Sequence, residues 1–106
     1  MNDVVLVLST APAGDDTAER IARTLVDERL AACVNIHAPI VSIYRWKGTV
    51  ERDSERQLII KTTRERVPAL ENRLRELHPY EVPEFIVISA SGGSDQYLRW
   101  VAAEVG

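Results

Sequence analysis

Three short runs in this chain, Val4 to Leu8, Leu58 to Ile60 and Phe85 to Ile88, are apolar at consecutive positions rather than at alternate ones. Successive side chains of a strand point to opposite faces, so each run puts aliphatic groups on both sides of any sheet it joins. Between the runs lie two stretches with a different period. Ala18, Ile21, Ala22, Leu25, Val26 and Leu30 recur at three- and four-residue spacing, as do Val67, Leu70, Leu74 and Leu77. Both read as amphipathic helices with one apolar face that must lie on a sheet. The helices cover one face of that sheet, and the other face stays too apolar to be wet. Roughly six side chains, each worth about 1.5–3 kcal/mol on burial, would form a patch larger than soluble monomers tolerate, so another subunit is expected to cover it, the alternative being that the last helix or the hairpin folds over this face within one chain.

Turn signals fix the order of the elements. Ala11-Pro12-Ala13-Gly14 ends the first strand, and Asp16 with Glu19 forms a capping-box pattern for the first helix. Val34 to Trp46 reads as extended and is interrupted by Pro39, which cannot donate to a ladder and marks an edge or a bulge. Lys47-Gly48 is a tight reversal into Thr49-Val50 and then Gln57 to Ile60, giving a long hairpin. Pro68 fits only in the first turn of the second helix, which stops at His78-Pro79. Glu84 to Ala90 is the last strand, and Ser94 caps a short final helix carrying Leu98, Val101 and Val105. The order βαββαβα within 106 residues predicts one domain, residues 1–106. Two successive strand-helix-strand units of this size point to an α+β ferredoxin-like βαββαβ sandwich, with an antiparallel sheet, a long hairpin between its second and third strands and a C-terminal helix.

Bulk properties narrow the functional classes. A net charge of −3 with both signs mixed offers no basic face for nucleic acid. The longest purely aliphatic run is far too short to span a membrane, and the acidic Met1-Asn2-Asp3 is unlike a leader, so a cytoplasmic protein is expected. Cys33 is the only cysteine, which excludes an intrachain disulfide.

The candidate chemistry is sparse. Cys33, His37 and His78 are the soft-metal donors for copper or another divalent cation, but Cys33 and His37 lie ~13 Å apart on an extended strand and form no local chelate. Ser91-Gly92-Gly93-Ser94 precedes a helix and reads as a turn or an anion cradle; it lacks the Lys-Ser or Lys-Thr ending of a phosphate loop. No nucleophile motif is present, so no enzyme activity is expected. His78-Pro79-Tyr80-Glu81-Val82-Pro83-Glu84 holds an imidazole, a phenol and two carboxylates between prolines, on a connection of restricted freedom. That stretch builds either a rigid turn or a site. A ligand cleft lined by Lys61, His78, Tyr80, Glu84 and Trp46 is expected, with Trp46 reaching in from a neighbouring subunit's hairpin because Lys61 and the His78 to Glu84 segment fall at opposite ends of the second helix.

Leu30-Ala31-Ala32-Cys33-Val34-Asn35, Ser42-Ile43-Tyr44-Arg45-Trp46-Lys47-Gly48, Ile60-Lys61-Thr62, the His78 to Glu84 stretch and Tyr97-Leu98-Arg99-Trp100 together resemble the CutA family of divalent-cation tolerance proteins, nearly end to end. The resemblance implies a ferredoxin-like subunit in a PII-like homotrimer, associated with tolerance of copper and other divalent metals. Metal ligation in that family has been attributed to a cysteine just before Thr-Ala-Pro and to a His-His pair before Pro-Tyr. Here Ser9 precedes Thr10-Ala11-Pro12 and Leu77 replaces the first histidine, so His78 alone remains and weak copper binding is expected. The resulting expectation is a trimeric metal-response protein without turnover. The alternative is a PII-like signalling module taking a small anion or nucleotide in clefts between subunits. An acylphosphatase-like enzyme shares the fold, but Ala11 to Gly14 contains no basic residue to bind phosphate.

Overall fold

The computed structural model describes residues 2–106. Strand β1 (Val4–Pro12) runs into helix α1 (Thr17–Asp27), and strands β2 (Cys33–Ile36), β3 (Ile40–Trp46) and β4 (Thr49–Thr63) follow. A single 3-10 turn, Arg64–Arg66, leads into α2 (Val67–Leu77), then strand β5 (Ile86–Ser89) and helix α3 (Asp95–Glu104). The sheet order is β2-β4-β1-β5 with every pairing antiparallel, and β3 also pairs with β4. This is the ferredoxin-like arrangement, in which the first strand sits centrally and both crossover helices pack on one face.

The predicted second strand is divided in two. His37 to Pro39 interrupts pairing, so β2 meets β4 at Leu58 to Lys61 while β3 meets it at Thr49 to Glu55. Strand β4 is longer than the sequence suggested, because the charged segment Glu51 to Arg56 is strand rather than a connection. Its first half runs beyond the end of β1 as a two-stranded arm. The arm turns at Lys47 (φ 49°) and Gly48 (φ 84°), the two left-handed residues that a type I′ hairpin turn demands.

Val5, Val7, Leu58 and Ile60 are fully buried beneath Ile21 and Leu25 of α1 and Leu70 and Leu74 of α2. Pro68 falls within the first turn of α2, where a missing N–H costs nothing. The capping box does not form: the Asp15 carboxylate accepts the Thr17 N–H at 2.9 Å, while Asp16 and Glu19 each pair with the arginine four residues on. Val26 is also outside the core, at the exposed margin of α1. Ser94 does cap α3, its hydroxyl accepting the Tyr97 N–H at 3.2 Å.

Helix α3 lies on the opposite face of the sheet, where Val101 packs with Val4 and Ala32. It covers only that end. Leu6, Leu8 and Ile59 remain half-buried, and Ile86 and Ile88, paired with Leu8 and Leu6, remain exposed.

Candidate functional site

At the end of the sheet away from α3, the hairpin arm and the α2–β5 connection enclose a cleft of 640 Å³. Two side chains of β4 hold the connection in place. Glu55 accepts the Tyr80 hydroxyl at 2.7 Å, and Gln57, two residues on and therefore on the same face, donates to Glu84 at 3.0 Å and to the Ser9 carbonyl at 2.6 Å. Both ends of the Tyr80 to Glu84 segment are thereby fastened to one strand. The prolines at 79 and 83 limit what lies between. On the other wall, β3 contributes Ser42, Tyr44 and Trp46, and the Tyr44 hydroxyl donates to Asp53. At the mouth, Lys47 Nζ lies 3.4 Å from Glu81 and 5.4 Å from the Trp46 ring centre.

The electrostatics of this cleft are one-sided. Glu55, Glu81 and Glu84 line it, and among the described residues no lysine, arginine or histidine does. Glu55 is buried and makes no ion pair among the described residues. Burial, then the hydrogen bond to Glu55, hold the Tyr80 hydroxyl well above its ordinary value, and the bond to Asp53 pushes Tyr44 up to about 12.

Of the residues expected in the cleft, Tyr80, Glu84 and Trp46 line it together within one chain. The arm of β4 is long enough to bring its tip back over the chain's own α2–β5 connection. His78 sits behind the wall. Its Nε2 donates to the Thr10 carbonyl at 2.6 Å and its Nδ1 accepts the Tyr80 N–H at 3.1 Å, which occupies both ring nitrogens and fixes the Nε2–H tautomer. Lys61 is elsewhere: it pairs with Cys33 on β2, four residues or ~13 Å along β4 from Gln57, with Nζ 5.9 Å from the Tyr97 ring centre. Cys33 and the Thr10 that holds His78 lie on opposite sides of β4 and four residues apart along it, so they are farther apart still. Among the described residues, no three of His, Cys, Asp and Glu lie close enough to hold a metal ion together.

Glu55, Gln57 and Tyr44 are outside the expected lining, and Glu81 joins it from the proline-bracketed stretch. The signal for the first two was present in the chain: extending β4 back through Glu51 puts residues 51, 53, 55 and 57 on one face, beside the outward Thr10 of β1.

Comparison with known proteins identifies the relatives of this fold. The model of the CutA1 divalent ion tolerance protein family matches residues 5–104. The divalent-cation tolerance protein CutA of Thermus thermophilus is 45% identical over 106 residues, all of either chain, and the solved structure of CutA1 from that organism superposes with a TM-score of 0.93, covering 97% of this chain and 99% of that one. Protein CutA of Mus musculus is 49% identical over 87 residues, which are 82% of this chain and about half (49%) of the mouse protein. A structure described as the PII-like protein CutA from Nostoc sp. PCC 7120, in apo form, has a TM-score of 0.89 at 39% identity, covering 96% of this chain and 97% of that one. No helix among the described residues is long and apolar enough to cross a membrane.

Proposed function

The chain belongs to the CutA1 divalent ion tolerance protein family, and on that premise we propose that it is a homotrimeric metal-response protein of the cytoplasm, without catalytic turnover, that takes its ligand in the cleft between the hairpin arm and the α2–β5 connection. The observation that carries this reading is the charge of the cleft: three carboxylates line it with no basic side chain among the described residues of the lining, and only Glu81 has an ion-pair partner, Lys47 at the mouth, which leaves the buried Glu55 and Glu84 without one. Such a site attracts cations and repels a phosphate or nucleotide, which favours the cation-linked reading over the anion-binding alternative. The apolar sheet face left open by α3 supports the trimer, because Leu6, Leu8, Ile59, Ile86 and Ile88 form a contiguous surface suited to burial between subunits.

Direct metal binding in this reading is weak and divided between subunits. His78 can take copper only by giving up the Thr10 carbonyl or the Tyr80 N–H, and Cys33 lies too far away to complete a chelate. Calorimetric titration of the protein with copper and zinc salts tests this. Weak binding that declines in Glu84→Gln is expected; a tight site of one ion per chain that survives Glu84→Gln, His78→Ala and Cys33→Ser would overturn the reading.

A further inference from the structure

Glu55 is 7% exposed and lines the cleft, and its one side-chain partner among the described residues is the neutral hydroxyl of Tyr80. A buried carboxylate without a cation is costly, and a protein keeps one chiefly where something else supplies the opposite charge. Glu84 lies in the same cleft with one oxygen held by Gln57. The body of the wall carries the aromatic and apolar side chains of Tyr44, Trp46, Ile43 and Val82, with the uncharged Thr10 and Ser42 between them. A bare divalent ion would need several oxygen or nitrogen donors converging within about 2–2.6 Å, and no such group of three acidic, histidine or cysteine side chains exists among the described residues. The volume, 640 Å³, is that of a site for an organic molecule.

The chain itself indicates which kind of molecule. Lys47 places its ammonium group at the mouth, 3.4 Å from Glu81 and 5.4 Å from the Trp46 ring centre, which is a carboxylate-plus-aromatic setting for a cation. Both side chains of that pair are about two-thirds exposed, at 69% and 68%, so the contact is weak and readily exchanged. Deeper in, Glu55 and Glu84 have no such partner among the described residues.

We propose that the ligand of this cleft is a small organic cation, a primary ammonium or guanidinium ion on a short apolar body, with its charge at Glu55 and Glu84 and its body against Trp46 and Tyr44, and that Lys47 is the chain's own tethered stand-in at the entrance. The inference rests on the cleft being the ligand site. It adds the chemical class of the ligand, and with it a competition between ligand and Lys47.

The test is calorimetry on the full protein with agmatine and phenethylammonium as probes, alongside copper chloride and ATP, with the Trp46 indole N–H followed by NMR. The organic cations are expected to bind and to shift the Trp46 signal. Glu55→Gln, which can still accept the Tyr80 hydroxyl, should weaken them about tenfold or more, and Glu84→Gln should act in the same direction. Lys47→Ala should tighten them about two- to fivefold. Failure of both probes to bind the parent and Lys47→Ala proteins overturns the proposal, as does binding indifferent to Glu55→Gln and Glu84→Gln. If copper or ATP shifts Trp46 where the organic cations do not, the cleft stands as a ligand site and only the assigned class falls. If none of the four shifts it, the cleft itself falls.

Discussion

Replacing Ile86 with aspartate should turn the proposed trimer into folded monomers. Ile86 pairs with Leu8 on the sheet face that α1 and α2 do not cover, and it is 51% exposed in the subunit. Complete burial of such a side chain stabilises by about 1.5–3 kcal/mol, so the half still open contributes about 1 kcal/mol per subunit on assembly. Aspartate forfeits that and adds an unpaired carboxylate to a dry interface, a further cost of about 3–5 kcal/mol. Over three subunits the total exceeds ~10 kcal/mol, more than the whole free energy of a micromolar association. In the isolated subunit the same aspartate keeps its access to water, so the fold should survive. Light scattering coupled to size exclusion reports the mass, and far-ultraviolet circular dichroism reports the fold. A monomer mass with a parent-like spectrum is expected. Ile86→Asp retaining the trimer mass at micromolar concentration would refute the reasoning, as would a monomeric parent protein.

Other substitutions separate structural from ligand roles. His78→Ala strands the Thr10 carbonyl and the Tyr80 N–H, and chemical denaturation should show a loss of about 2–4 kcal/mol while copper affinity changes less than about threefold. Ser9 is fully buried with an unpartnered hydroxyl, so Ser9→Ala should raise stability by about 1 kcal/mol in the same assay; a loss of that size would reveal a partner for Oγ. The Tyr80 phenol is raised above its ordinary 10.0 in the folded state, so its contribution is complete below about pH 10 and is lost as pH climbs towards the raised value. Thermal melts across that range should therefore fall more steeply for the parent than for Tyr80→Phe, and parallel curves would contradict the assignment.

The βαββαβα order, apart from the division of its second strand at His37 to Pro39, the Lys47-Gly48 reversal, the Ser94 cap and the place of Pro68 were all legible in the chain, because each depends on local periodicity or on one residue's backbone preference. The doubly apolar strands likewise anticipated a sheet face that the helices leave open, and α3 covers only the end near Val4. The site was less legible. Tyr80, Glu84 and Trp46 follow from the proline-bracketed connection and the hairpin tip, whereas Glu55 lies in the charged stretch Glu51 to Arg56, which has the look of a connection. Only the pairing of β3 along the arm of β4 makes that stretch a strand. His78 was read as a donor to metal because imidazole is a good ligand; hydrogen bonds to Thr10 and Tyr80, set by packing across 68 residues of sequence in one case, determine what it does instead. The capping box fails for a local reason: the Asp16 and Glu19 carboxylates turn to Arg20 and Arg23, each four residues on.

Native mass spectrometry of the protein as purified, combined with metal analysis, bears most directly on the account of a trimer with a cation-accepting cleft and no tight metal site. The predicted result is an ion of three times the chain mass, free of copper or zinc after dialysis, with any retained small molecule basic rather than phosphorylated. A monomer mass, or one transition-metal ion held per chain through dialysis, would contradict it.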